Sequence, residues 1–274
     1  MSLHNPGWLQ KYRRTLEMGL QTALEYRVNF AISLIGAIYP IIIQSFLWTA
    51  IYDASSETEL YGYTYRQIIV YTFLAGLISR LVHTGFEYDI MDDVKNGKFS
   101  NFLVQPIGYF PYRLANFFGQ KLPNMILILI ILAVILLGLN TVWGISITLG
   151  RIVLFLLTLV LALVLNFIIF YAISAIAFWL VEIGFLFEGI RIVIILLSGG
   201  IFPLEVFGPR FVQITNLLPF KYTVSYPINV LNGRLSVGDI GTGMITQCVW
   251  IVLCMLLAAY LWRVGSRRYV AVGG

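Results

Sequence analysis

The sequence predicts an all-α integral membrane protein with six transmembrane helices. Of the 274 residues, 59% are hydrophobic and only 11% are charged, and the mean hydropathy is +0.86. Soluble domains carry about 25% charged residues. Several charge-free runs also reach the roughly 20 apolar residues that a spanning helix needs. A lipid bilayer is therefore the solvent that this composition fits.

Charge-free runs predict the positions of the spans. Four long runs each predict one span, at 28–52, 122–150 (with the helix ending near residue 140), 152–181 and 240–262. Two shorter runs, at 67–79 and 192–204, reach spanning length if their flanking charges lie at the interface. Arg80 can extend toward the headgroups, and Glu188 can pair with Arg191 three residues later. We expect one transmembrane domain over 1–274, with the six-span bundle at 28–265.

The basic residues predict the orientation of the chain. With the amino terminus inside, 13 of the 18 lysines and arginines lie on the cytoplasmic side. Cytoplasmic connections are enriched in these residues, so both termini and the connection between spans two and three are expected in the cytoplasm. No cleavable signal peptide is expected, because charges extend through Arg27 and the first apolar run is too long for a signal core.

Residues 7–27 predict an amphipathic helix on the inner membrane surface. Apolar residues recur at helical spacing, with basic and polar residues between them, and they are Leu9, Tyr12, Leu16, Leu20 and Ala23. Such a helix lies in the interface, and its basic residues favour anionic lipid. The alternative is that this segment simply extends the first span into the cytosol.

The connection between spans two and three, 92–123, is longer than a turn requires. A turn signal at Asn96–Gly97 precedes Phe99, Phe102 and Leu103, whose spacing predicts one apolar face of a short helix. Pro106 then ends this helix. The pattern predicts either a docking helix for a groove on a partner or a membrane-surface helix packed on its own bundle.

A second short segment, 109–118, is expected in the same connection. It carries Tyr112 and Arg113, which add aromatic and basic character to the docking surface. The nearby aspartates Asp89, Asp92 and Asp93 are interpreted as a solvated face. The sequence Gly97–Lys98 lacks the remaining residues of a phosphate-binding loop.

No pattern of an enzyme or of a nucleic-acid-binding protein is found. The two histidines are far apart in sequence and no zinc-ligand spacing occurs. The net charge of +5 is not arranged as a basic stripe with interleaved aromatics, so no nucleic-acid partner is expected. Few ionisable residues fall deep within the spans, where they would mark an ion pathway.

A second unusual stretch, 196–235, follows the fifth span. Gly199–Gly200 and Pro203 end that span. The spacing of the next apolar residues predicts an amphipathic helix that begins at Pro209. This helix is too short and too polar to cross the membrane, so we expect it at the outer leaflet.

These two stretches resemble the membrane permease subunits of type-2 ABC exporters. The family's cytoplasmic segment after the second span is similar to NGKFSNFLVQPIGYFPYRLA, and its signature after the fifth span is similar to SGGIFPLEVFGPRFVQITNLLP. The resemblance covers essentially the whole chain. It is strongest to the small permeases that are grouped with antibiotic exporters, because only 53–65 separates the first two spans.

The resemblance implies a fold, partners and a mechanism. It implies an amino-terminal interfacial helix, a cytoplasmic coupling helix between spans two and three, and a short extracellular re-entrant helix after span five. Two ABC ATP-binding subunits would bind ATP and Mg²⁺ and dock beneath this chain, which would itself hold no cofactor or metal. A second permease, identical or a sister subunit, would complete the export path in a prokaryotic-type cell membrane.

The resemblance also implies roles for particular residues. The ATPase-coupling residues would be Gly97, Phe99, Phe102, Leu103, Pro106, Tyr109, Tyr112 and Arg113. The outer-gate residues would be Gly199, Gly200, Pro203, Phe207, Phe211 and Pro219. The substrate-path candidates are Tyr39, Gln44, Trp48, Tyr71 and Thr72, which could equally be ordinary packing or interfacial aromatics.

The expected function is ATP-driven export of a hydrophobic or amphipathic substrate, such as a drug, an antibiotic, a peptide or a lipid. The chain itself would not be catalytic. The alternatives are a membrane-embedded lipid-modifying enzyme, and a secondary transporter or structural membrane protein. A secondary transporter would show inverted repeats and broken helices at mid-membrane, for which only Gly199–Gly200 gives a hint.

Overall fold

The computed structural model of the protein describes residues 8–25, 27–143, 148–180 and 182–269. Its helices within these ranges are α1 (Trp8–Glu25), α2 (Arg27–Asp53), α3 (Tyr65–Val82), α4 (Phe86–Lys95), α5 (Phe99–Val104), α6 (Tyr109–Trp143), α7 (Leu149–Ser174), α8 (Gly184–Leu197), α9 (Pro209–Asn216), α10 (Ser225–Leu231) and α11 (Val237–Ser266). A two-stranded hairpin, β1 (Glu59–Leu60) and β2 (Tyr63–Thr64), precedes α3. Short 3₁₀ turns lie at Ala175–Phe178, Leu204–Phe207 and Phe220–Thr223.

Four helical segments in the described part of the chain are long and apolar enough to cross a membrane. They are Tyr65–Lys95, Tyr109–Val134, Leu149–Phe178 and Val237–Ser266. The predicted all-helical, multi-span architecture is confirmed at this level. The predicted first and fifth spans correspond to α2 and α8. The 14 residues of α8 rise only about 21 Å, which is less than the roughly 30 Å of hydrocarbon in a bilayer.

The second predicted span, 67–79, lies within α3, and the spanning segment Tyr65–Lys95 that contains it is broken between α3 and α4. The side chain of Asn166, from α7, donates a hydrogen bond to the Val82 carbonyl. Arg191, from α8, donates to the Thr84 carbonyl at 3.1 Å. Side chains of neighbouring helices thus satisfy carbonyl groups at the break, as backbone in apolar surroundings requires.

The prediction of a separate short helix at 109–118 is wrong. These residues form the first turns of α6, a single helix of 35 residues that continues through Pro123. Proline removes one backbone hydrogen bond, but membrane helices tolerate this where neighbouring groups compensate. The long connection predicted at 92–123 therefore reduces to α5 and two short links, 96–98 and 105–108.

The predicted amino-terminal helix forms as α1, and it packs along the first half of α6. The two helices cross where Gly19 and Gly119 are both buried. A Cβ atom on Gly119 would lie 2.2 Å from the carbonyl oxygen of Leu16, and one on Gly19 would lie 2.5 Å from that of Asn116. Glycine at both positions lets the helix backbones approach this closely.

The bundle has two different ends. The α5 end is formed by α4, α5 and the last turn of α11, and the hairpin end by β1, β2 and α9. The turn between the strands places Tyr61 and Gly62 at positive φ, 55° and 74°, which is typical of a tight hairpin. The sequence did not predict this hairpin, because its strands have only two residues each.

The core is centred on α7. Phe155, Leu163 and Leu165 are completely buried among the surrounding helices. Gln247 of α11 is also buried, and its side-chain amide donates to the carbonyls of Thr158 and Tyr222 at 3.1 and 2.9 Å. Polar groups inside the bundle thereby tie α11 to α7 and to the turn at Phe220–Thr223.

The glycine crossing gives a prediction about stability. The substitution Gly119→Ala should lower the free energy of unfolding by about 1–3 kcal/mol, because its methyl group overlaps the α1 backbone. Gly241→Ala is the matched control, since nothing lies within 4 Å of a Cβ there, and it should stabilise α11 by roughly 0.5–1 kcal/mol. Denaturant unfolding of the purified protein in detergent measures both. Equal gains for the two variants would disprove the close crossing.

Candidate functional site

The short helix α5 has one buried and one exposed face. Phe99, at its start, is only 4% exposed, whereas Leu103 and Val104 at its end are 62% and 84% exposed. Gly97 precedes the helix at φ 74°. The three apolar residues predicted to share a docking face are therefore divided, with Phe99 inside the protein and Leu103 outside it.

The buried face of α5 belongs to an aromatic cluster that joins several helices. The Phe99 ring lies 5.1–6.0 Å from the rings of Tyr109, Phe178, Trp262 and Tyr269. Most of these pairs meet edge to face, an arrangement that aromatic rings favour. Through this cluster, α5 contacts the ends of α6, α7 and α11 together.

The second predicted aromatic, Phe102, packs beneath the exposed tip of α5, which is formed by Leu103 and Val104. Its ring lies 4.8 Å from Tyr109 and 4.9 Å from Tyr112. Pro106 is exposed beyond the helix, and its carbonyl accepts a hydrogen bond from Lys11 of α1 at 3.4 Å. The amide of Gly108 donates to the Tyr12 hydroxyl at 3.2 Å. The helix α1 thus braces the link that follows α5.

A buried ionic network joins α4 to α6 beside α5. Arg113 is buried, and its guanidinium bonds Asp89 at 3.1 Å and also Asp93. The Tyr109 hydroxyl accepts from Arg113 Nε at 3.1 Å and donates to Asp93 at 2.7 Å. Arg113 is therefore a structural anchor beneath the surface, and Asp89 and Asp93 are its partners. The interpretation of these aspartates as a solvated face holds for Asp89 and Asp92, which are exposed. It is wrong for Asp93, whose side chain is largely buried.

A second set of ion pairs joins α4 to α8. Arg191 pairs with Glu87, which is completely buried, and lies 3.6 Å from Glu188, the pairing that the sequence predicts. Lys95 bonds Glu182 at 3.1 Å. The helix α4 is thus held by α6 on one side and by α8 on the other.

At the hairpin end, the chain turns sharply after α8. Gly199 has φ 76°, and its carbonyl accepts a hydrogen bond from the Tyr71 hydroxyl at 2.7 Å. Gly200 packs so closely that a Cβ would lie 2.7 Å from Ser79 Oγ. The helix α8 ends at Leu197, just before the two glycines at which the sequence predicts a loss of helix. It starts and stops several residues earlier than the predicted run 192–204, so the predicted stop near Pro203 is wrong.

The predicted outer-gate residues lie in one connected region after this turn. Helix α9 begins at Pro209 as predicted. The rings of Phe207 and Phe211 lie 4.8 Å apart, and Phe207 is partly exposed. Pro203 and Pro219, which flank the region, are both buried.

A polar cluster around Tyr63 fixes this region to the hairpin. The guanidinium of Arg234 lies 3.6 Å from the ring centroid of Tyr63 and 3.2 Å from Glu205. The Tyr63 hydroxyl lies within 3.2 Å of Glu205 and 3.3 Å of Asn229. Burial and the Glu205 charge raise the pKa of Tyr63 above its usual value, so the phenol stays neutral and can donate. No pattern in the sequence predicts this cluster, because its members are far apart along the chain.

The five substrate-path candidates do not line one cavity. Tyr39 is exposed on α2, whereas Trp48 is buried against Phe202 with ring centroids 6.0 Å apart. Tyr71 is committed to the Gly199 turn. Gln44 and Thr72 do share a groove of about 440 Å³ between α2, α3 and the end of α8.

The acidic and metal-ligating residues of the described chain form no group of three or more that could hold a metal ion. A polar cavity of about 490 Å³ lies beside α5, and the residues that line it include Asp92, Lys98, Asn101 and Gln105. It offers hydrogen-bonding groups next to the exposed Leu103 and Val104.

The fold and the site together define a multi-span helical membrane protein with a short, partly exposed helix, α5, at one end. The family model described as "ABC-2 family transporter protein" matches residues 38–273. The chain therefore belongs to the ABC-2 transporter family, as its resemblance implies, and it is a membrane subunit of an ABC transporter. Members of this family associate with ABC ATP-binding subunits. No curated protein and no solved structure matches the chain.

The ionic network beneath α5 gives a prediction. Arg113→Gln should lower the free energy of unfolding by about 3 kcal/mol, because it leaves the largely buried Asp93 without its cationic partner. Arg13→Gln is the matched control, since the Arg13–Glu17 pair is mostly exposed, and it should cost less than about 1 kcal/mol. Thermal or denaturant unfolding in detergent compares the two variants. A similar small cost for both would show that the network does not stabilise the α5 end.

Proposed function

We propose that the chain is the permease subunit of an ATP-driven exporter, in which α5 is the coupling helix. The proposal takes α2 and α8 as the first and fifth of six spans and places both termini in the cytoplasm. The single observation that carries it is the division of α5 into an exposed apolar tip and a buried aromatic base. A helix that transmits force needs both a surface for its partner and a firm attachment to its own bundle.

The exposed tip suits a groove on an ATP-binding subunit. Leu103 and Val104 are apolar and outside the bundle, and the exposed Lys98, Asn101 and Gln105 surround them with polar groups. An apolar contact with a polar rim is the usual anatomy of a protein–protein interface. The partner would bind ATP and Mg²⁺, and this chain would contribute no catalytic residue.

The contacts of α5 provide a path for its movement. Displacement of the tip moves Phe99, and with it the ends of α6, α7 and α11 that surround its ring. The same displacement reaches α4 through Tyr109 and Arg113, which bond Asp93. From α4, the buried pair of Glu87 and Arg191 connects to α8, whose far end is the proposed outer gate.

The proposed export path lies between this permease and a second one. Large apolar side chains of α2 are exposed at Ile38, Tyr39, Ile42 and Phe46, and they offer a surface to a second permease or to substrate. The groove that contains Gln44 and Thr72 opens beside this face. The mixture of apolar walls with a few polar groups fits a hydrophobic or amphipathic cargo, in keeping with an antibiotic, a peptide or a lipid. Such a complex would work in a prokaryotic-type cytoplasmic membrane.

The coupling role of α5 is tested by charging its tip. The double substitution Leu103→Asp with Val104→Asp should abolish copurification of the ATP-binding subunits, because two carboxylates cannot enter an apolar groove without a large desolvation cost. The protein should remain folded, since both side chains are already exposed. Affinity purification from the native membrane in mild detergent, with quantification of the ATPase, measures the effect.

The matched control charges two equally exposed apolar residues at the other end of the bundle. Leu149 and Val237 are 76% and 78% exposed, and Leu149→Asp with Val237→Asp should leave copurification unchanged. If the tip variant retains its ATPase and normal substrate-stimulated hydrolysis, α5 is not the coupling helix. If no ATPase copurifies with the tip variant or with the control variant, the exporter proposal itself fails.

A further inference from the structure

A cavity with both polar and apolar walls lies at the α5 end of the bundle, between α1, the break after α3, and α6. Its volume is about 510 Å³. Thr22 and Ala23 of α1 form one wall. The other walls include Arg80, His83, Thr84, Asn116, Gln120, Lys121 and Asn124.

Two cations that line this cavity, Arg80 and Lys121, have no salt-bridge partner in the part of the chain that the structure describes. Among the described residues, neither Arg80 nor Lys121 forms a salt bridge or a side-chain hydrogen bond, whereas Arg113 and Arg191 in the same region are each paired with carboxylates. Lys121 has only an aromatic neighbour, with Nζ 5.7 Å from the Phe117 ring centroid. Asp89 reaches the edge of the cavity, but it bonds Arg113 at 3.1 Å.

An uncompensated charge inside a bundle is costly unless a ligand neutralises it. The cavity provides two positive charges of different geometry, a planar guanidinium and a compact ammonium, both of which bind phosphate oxygens. The amides of Gln120 and Asn124 add uncharged hydrogen-bond donors on the same walls. This combination fits an anion that has several acceptor oxygens.

The position of Lys121 along the membrane normal indicates which kind of anion can reach the cavity. Lys121 is the thirteenth residue of α6 and follows its polar first turns. The lipid-facing residues after it, Ile126, Ile130 and Val134, are apolar and exposed. Lys121 therefore lies at the boundary where lipid headgroups meet hydrocarbon.

We propose that this cavity binds the phosphate group of an anionic amphiphile, held by Arg80 and Lys121 at headgroup level on the α5 side of the membrane. A structural phospholipid of that leaflet and a phosphate-bearing solute share this chemistry. The proposal goes beyond the coupling role of α5, and its test does not depend on that role.

The experiment compares lipid retention by the purified full-length protein in native mass spectrometry. The probes are phosphatidylglycerol and phosphatidylcholine of the same acyl composition, titrated into the detergent-solubilised protein. The wild type should bind one phosphatidylglycerol in clear preference to phosphatidylcholine. Arg80→Gln with Lys121→Gln should weaken that binding about 10- to 100-fold, as expected for the loss of two charge-assisted hydrogen bonds.

The matched control removes two positive charges from the same end but outside the cavity. Arg263 and Arg267 are both exposed at the end of α11, and Arg263→Gln with Arg267→Gln should keep the wild-type affinity. A second variant, Ala23→Glu, places a carboxylate in the wall opposite the cations. It should also weaken phosphatidylglycerol binding, and it tests the site if the glutamine variant does not fold.

The outcomes separate the two sources and can overturn the proposal. Selective loss in the cavity variants, with no displacement by millimolar inorganic phosphate, identifies a lipid ligand. Displacement of phosphatidylglycerol by inorganic phosphate, again dependent on Arg80 and Lys121, identifies a site for soluble phosphate compounds. Equal binding of the two lipids by the wild type, or wild-type affinity in both cavity variants, would refute the site.

Discussion

The structure depends on one constraint, which is that backbone groups inside the bilayer must be satisfied within the protein. Where the helices are regular, this happens without side chains. Where they are not, side chains supply the bonds: Asn166 and Arg191 bond the carbonyls at the break between α3 and α4, and Tyr71 bonds the carbonyl of Gly199 after α8. Each irregularity in a helix is therefore also a point at which a side chain of another helix is attached by a hydrogen bond. The helices are joined at the positions where their regular structure is interrupted.

This constraint explains why α4 occupies the centre of the proposed coupling path. Because the second span breaks at Gly85, α4 is a separate rigid piece rather than a continuation of α3. Two acidic residues of α4 attach it to two different helices. Asp93 is bound to Arg113 of α6, and Glu87 is bound to Arg191 of α8. A movement that begins at α5 can thus reach α8 without passing through the apolar middle of the bundle, where close packing leaves little freedom.

The sequence predicts the parts of the fold that depend on local composition. Hydropathy located the long spans, and the positions of Gly199 and Pro209 located a helix end and a helix start. It failed where partners are distant in sequence. The burial of Phe99 depends on Trp262 and Tyr269, and the pairing of Asp89 depends on Arg113, which no periodicity reveals. The charge-free run that predicts the third span begins only after Lys121, so it does not show that α6 starts at Tyr109.

The paired and the unpaired cations at the α5 end have different roles, since the first stabilise the bundle and the second are available to a ligand. Arg113 of α6 and Arg191 of α8 each have carboxylate partners within the protein. Arg80 and Lys121 face a cavity that opens between α1 and α6, where a ligand can take the place of a carboxylate. Thr22 and Ala23, which follow the glycine crossing by one turn of α1, form one wall of that cavity. In this arrangement α1 has two structural roles. It supports the link after α5 through Lys11, and it encloses the unpaired cations. Both roles require that α1 pack on α6 rather than lie free on the membrane surface.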